Sequence, residues 1–221
     1  MTQFKLIEGL YMLPSPAGAF QAVSSTVNDR PRQFLQRLLR QIKTPELSVE
    51  QLIQLTGLDE ESKALELLHH CQRLGWVQGV DSPRDAPQGA LEDILPGLLA
   101  DITEHGKVLL ADEQGFYLAC SGFAHETAEE LSALSADLAL LHQRHAGLLL
   151  NNMGISSHAW ALVDVFGNSQ IGFWPLFIGA NRFVVAIAGI PHFNREAFVL
   201  LVWALSTRYG QKPRTHSKTT T

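Results

Sequence analysis

The sequence predicts an α+β fold in which helices pack on antiparallel strands. Between residues 91 and 210 the apolar positions change from helical to alternating period and back, in the order helix, strand, strand, helix, three strands, helix. The strand candidates are separated by short turns rich in glycine and asparagine, for which hairpins and a meander are the simplest pairing. Upstream, residues 28–80 read as a cluster of short helices closed by a strand.

The chain has 221 residues, of which 46% are hydrophobic and 18% charged, enough apolar material for one large or two small packed domains. A net charge of −5 argues against broad attraction to nucleic acid or an anionic membrane. Cys71 and Cys120, with no C-x-x-C pair, fit free thiols in a reducing compartment, so the cytoplasm is expected. Glu8 and its polar neighbours interrupt any secretory signal. The apolar run Phe198–Leu205 is far shorter than the roughly 20 residues a bilayer requires, so no membrane insertion is expected.

In the first segment, Phe4–Leu13 and Ala19–Ser24 flank Pro14-Ser15-Pro16-Ala17-Gly18 and suggest a hairpin. Asn28-Asp29-Arg30-Pro31 caps a helix carrying Phe34, Leu35, Leu38, Leu39 and Ile42 on one stripe. Ser48 caps a second helix from Val49, with Glu50 in its first turn and Gly57 closing it. Asp59 opens a third, through Leu74, and Gly75-Trp76-Val77 starts a strand. This order looks like a winged helix-turn-helix, so residues 1–80 are expected to form a hairpin and winged-helix-like domain. Its functional reading is DNA contact through Arg32, Arg37, Arg40 and Lys43. Asp59-Glu60-Glu61 at the start of the recognition helix would repel phosphates, and the bland reading of the basic residues is a solvated helix face.

Residues 81–90, DSPRDAPQGA, have the composition of a linker. Leu91, Ile94, Leu95, Leu98, Leu99 and Ile102 then mark a helix, kinked or started near Pro96. Lys107–Ala111 and Phe116–Cys120 form a hairpin around Asp112-Glu113-Gln114-Gly115. A long helix from His125 to Gly147 mixes leucines with small residues that admit a close backbone. Strands follow at Ser157–Phe166, Gln170–Ile178 and Arg182–Ala188, and Asn194 is expected to cap a final helix ending at Gly210. Residues 211–221 lack apolar side chains and read as a disordered tail.

Over 91–210 the chain resembles the Roadblock/dynein-light-chain family. The carrying stretches are LEDILPGLLADITEHGKVLLADEQGFYLACSG, HETAEELSALSADLALL and PLFIGANRFVVAIAG, with Leu-x-Ala-Asp-x-x-Gly within them and the order of elements around them. The resemblance implies a five-stranded antiparallel sheet with packed helices, and a homodimer formed through the long second helix and the third strand. It implies the interface residues Ala128, Ser132, Ser135, Ala139, Trp160, Leu162 and Asp164. It further implies a non-enzymatic scaffold or regulator that binds a small Ras-like GTPase or a related assembly partner. The competing expectation is a transcription regulator whose Roadblock-like domain dimerises two winged helices.

No Walker or dinucleotide loop, H-E-x-x-H pair or G-x-S-x-G elbow is present, so neither catalytic residues nor a cofactor is expected. His142 with His145, and His69-His70-Cys71, are the sole metal-like groupings. Their bland reading, polar helix positions and a core thiol, is preferred and no metal is expected. Trp160, Phe173, Trp174 and Phe177 are candidates for a ligand pocket, against the usual role of sheet aromatics in a core.

Overall fold

A computed structural model describes residues 6–211. The start of the first expected strand and the expected disordered tail, apart from Gln211, lie outside them.

The chain opens with β1 (Tyr11–Pro14) and α1 (Pro16–Val23). The hairpin expected around Pro14–Gly18 does not form: its second arm is this helix. Ser15 caps it, the hydroxyl accepting the Gly18 N–H at 3.1 Å, and Pro16 supplies a preset φ where no N–H is needed. Next come α2 (Arg30–Leu39), α3 (Val49–Thr56), α4 (Glu61–Arg73) and β2 (Val77–Val80). The expected caps hold α2 and α3: Asp29 accepts the Arg32 N–H at 2.8 Å and Ser48 the Gln51 N–H at 3.3 Å. Gly57 closes α3 with φ 67°, a left-handed position that disfavours a side chain. β2 pairs antiparallel with β1, ahead of the helices, rather than with a following strand of the kind a wing would supply.

Residues 81–90 form no helix or strand of their own, yet they are tied down. The Arg84 N–H donates to the Thr44 hydroxyl and the Thr44 N–H to the Arg84 carbonyl, each at 2.8 Å. Ala86 is buried and its N–H reaches the Ile42 carbonyl at 2.9 Å.

The second half comprises α5 (Leu91–Asp101), β3 (Val108–Ala111), β4 (Tyr117–Ser121), α6 (His125–Gly147), β5 (Trp160–Val163), β6 (Ser169–Ile178), β7 (Asn181–Ala188) and α7 (Glu196–Tyr209). α5 runs through Pro96. Arg195, not Asn194, occupies the cap position of α7 and makes no side-chain cap; its guanidinium instead donates to the Asp101 carbonyl at the end of α5, at 2.8 Å. The five strands form one antiparallel sheet in the order β4-β3-β7-β6-β5. The β3–β4 turn is organised by the Asp112 carboxylate, which accepts the Gln114 and Phe116 N–H groups at 2.9 Å, with Gly115 at φ 89°.

Alternation along the strands divides the sheet into two faces. Val108, Leu110, Leu176, Val185 and Ile187 join the main core with α5 and α7, and that core continues through Phe34, Leu35 and Met12 of the first half. Leu109, Ala111, Phe173, Val184 and Ala186 form a second, smaller core under α6. α7 lies between the two halves: the Trp203 indole N–H donates to the Gln41 carbonyl at 2.6 Å, and Glu196 pairs with Arg84.

Candidate functional site

The long helix α6 covers the sheet unevenly. Ala128, Ser132 and Ser135 are fully buried against it, and their hydroxyls are satisfied within the helix, Ser132 on the Ala128 carbonyl at 2.6 Å and Ser135 on the Ser132 carbonyl at 2.7 Å. Small side chains do admit a close approach here, but the surface that approaches is the chain's own: a Cβ at Gly115 would sit 3.3 Å from the Ala133 Cα. Of the interface residues the resemblance implies, these three are buried within the chain itself.

Toward its C-terminal end α6 stands off the sheet. Ser135, Leu138, Ala139, His142, Gln143 and Ala146, spaced i, i+3, i+4, i+7, i+8 and i+11, line the roof of a cavity of about 370 Å³. Its floor is Trp160 of β5, Phe173, Pro175 and Phe177 of β6, and Arg182 and Val184 of β7, all on the α6 side of the sheet. Three of the four aromatic candidates are thus brought together. Trp174 is on the opposite face, edge-on to Phe193.

Sequence reasoning passed over Arg182 and His158, although Arg182 shares the alternation of Val184 and Ala186 and so had to face α6. The Arg182 Nε is buried and has no hydrogen-bond partner among the described residues. The Trp160 indole N–H donates to His142 Nδ1 at 3.2 Å, and the His142 and His158 rings lie 4.7 Å apart. Burial holds both imidazoles below their ordinary range; for His158 the neighbouring His142 and the charge of Arg32 act in the same direction. His145 is exposed and does not join them. Among the described residues no group of three or more His, Cys, Asp or Glu side chains is placed to hold a metal. Cys71 is a core thiol, pushed up to about 11 by burial and by Asp29.

The lowered histidines set a sign for pH. The folded chain disfavours the protonated rings more than the unfolded chain does, so nothing is lost above the ordinary imidazole value of 6.5, and stability declines as pH falls below it. The melting temperature is expected to be lower at about pH 5.5 than at about pH 7.5, with a smaller difference in His158→Gln. An unchanged difference in that variant would place the dependence elsewhere.

Beside the cavity, β5 is an edge of the sheet, and among the described residues no strand pairs with its outer side. Leu162 is 62% exposed, and Val165 and Phe166 just beyond are 94% and 87% exposed. On α6 and the turn after it, Leu140, Leu148 and Leu150 are also exposed. Asp164 is not part of the strand. Its carboxylate accepts the Phe166 and Asn168 N–H groups at 2.9 Å, closing the β5–β6 turn, and these bonds hold it below the usual carboxylate range.

The basic residues of the first half are largely occupied. Arg32 is 5% exposed and donates to the Gln21 carbonyl at 2.8 Å and to the Val27 carbonyl; Arg37 reaches the Leu55 carbonyl at 3.0 Å. Arg40 lies against Gly210, and Lys43 is exposed. Two side chains of the candidate DNA-contact set thus serve to tie helix ends together.

No family model and no curated protein matches the chain. Among solved structures it is similar to a Roadblock/LC7 domain from Streptomyces avermitilis, at 17% identity and a TM-score of 0.34, over 54% of this chain and 92% of that one. It is also similar to the gliding protein MglB from Thermus thermophilus, at 17% identity and a TM-score of 0.32, over 57% of this chain and 91% of that one.

Proposed function

We propose that this chain is a non-enzymatic scaffold that forms a homodimer through the β5 edge and the outer face of α6, and in that form binds a small Ras-like GTPase or related assembly partner. The observation that carries the reading is the unpaired edge of β5 with Leu162, Val165 and Phe166 in solvent, beside exposed leucines of α6. An apolar, open sheet edge is a template for pairing, and a second copy offers a matching one. The GTPase class of partner rests on the sequence resemblance across 91–210. Two free cysteines support a reducing, cytoplasmic setting.

Light scattering on the eluting protein tests the dimer. Leu162→Asp is expected to weaken dimerisation by about 2 kcal/mol or more, roughly thirtyfold, with an unchanged far-UV spectrum. A wild-type chain that remains monomeric at high concentration would sink the assembly. A dimer whose purified native complexes contain no small GTPase would remove the partner and leave the dimer standing.

A further inference from the structure

The cavity under the C-terminal half of α6 has a chemistry that interface packing does not account for. Its walls are mostly rings and aliphatic groups: Trp160, Phe173 and Phe177 below, Leu138 and Ala139 above. Its volume of about 370 Å³ falls in the range of small-molecule sites. Into this apolar space the strand register brings one cation, Arg182, opposite Phe177.

A guanidinium in such surroundings ordinarily has a carboxylate or several carbonyls as partners, because desolvating an unpaired charge is costly. Among the described residues no acid lines the cavity, and the buried Nε–H has no acceptor. The other polar side chains at its wall, Thr26, Ser135, His142, Gln143, His158 and the Trp160 indole, include no carboxylate. His142 Nδ1 accepts the Trp160 N–H, which requires the ring to carry its own proton at Nε2, and the Gln143 amide is also at the wall. The buried Ser135 hydroxyl is satisfied by its helix. What the cavity lacks is an acceptor with negative charge.

We infer that this cavity binds a small organic acid with a flat, ring-sized apolar body, its carboxylate held by the Arg182 guanidinium. A planar carboxylate matches the fork of Nε–H and one Nη–H bidentately, and so satisfies the donor that the chain leaves unpaired. The ring body stacks among Trp160, Phe173 and Phe177, where aromatic pairs prefer offset or edge-on contact. This site is independent of the proposed dimer, since it lies between elements of a single chain.

The test is titration calorimetry with 2-naphthoate as probe and 2-naphthamide as its neutral counterpart, on the full chain and on the Leu162→Asp variant. The acid is expected to bind at least tenfold more tightly than the amide, alike in both chains. Arg182→Gln is expected to abolish that preference, Arg182→Lys to restore part of it, and Ala139→Phe, which fills the space, to weaken both probes. Equal binding of acid and amide, no heat from either, or an Arg182→Gln chain that keeps the preference would overturn the site. So would an Arg182→Gln chain that loses the dimer and binds naphthoate unchanged, because an acidic side chain of a second copy would then be the partner of Arg182.

Discussion

Trp203→Ala is expected to destabilise the chain by about 3–5 kcal/mol, the usual cost of emptying a large aromatic from a core. Trp203 is 2% exposed in the middle of α7, and its indole N–H donates to the Gln41 carbonyl at 2.6 Å. Alanine removes the ring that fills the space between the halves and the donor that satisfies the end of α2. The neighbouring contacts do not make up for it: Arg84 with Glu196 is a half-exposed ion pair, of the kind that contributes little. Because one apolar core runs from Met12 through α7 to β6, the loss is expected to appear in urea denaturation as an earlier midpoint of a single transition. Far-UV circular dichroism and hydrogen exchange of α2 and β7 amides should follow the same curve. Two separate transitions would mean that the halves on either side of residues 81–90 fold on their own.

What could be read from the sequence follows from how local each signal is. The caps of α2 and α3 were legible because Asp29 and Ser48 bond within their own first turns. The β6–β7 hairpin was legible because its glycine turn and the alternation of Phe173, Phe177, Val184 and Ala186 need no distant partner. The stripe of small residues on α6 was also visible as one face. Its period could not tell whether the covering surface belongs to this chain or another, and the structure gives Ala128, Ser132 and Ser135 to the chain's own sheet. The fate of Arg32 and Arg37 was hidden for the same reason, since the carbonyls they reach come from other segments. The cavity is the extreme case. Its roof and floor derive from α6 and three strands, and only their assembly brings Arg182 and two histidines to one cavity.

Ser15 and Pro16 begin α1 with a local signal of the same kind, but Pro14-Ser15-Pro16-Ala17-Gly18 also has the composition of a turn; the contact that seats the helix is remote, and a glycine pair makes it testable. A Cβ on Gly18 would lie 1.9 Å from the Trp76 carbonyl oxygen and 2.8 Å from its carbon, both backbone atoms that cannot swing aside. The backbone of Gly18 is helical, so conformational strain plays no part in the effect. Gly18→Ala must instead push α1 away from the residues that enter β2, disturbing Ala19, Ala22 and Val23 in the core. The expected loss is about 2 kcal/mol or more, the range of overpacked sites that do not relax. Gly97 gives the opposite result from the same change. It sits exposed inside α5, and nothing lies within 4 Å of a Cβ built there. Gly97→Ala is therefore expected to stabilise by about 0.5–1 kcal/mol through reduced freedom of the unfolded chain. Urea midpoints of the two variants should move in opposite directions. A neutral Gly18→Ala would show that α1 does not press on Trp76, and close backbone contact would no longer explain how the run Pro16–Val23 is seated as a helix beside the residue that leads into β2.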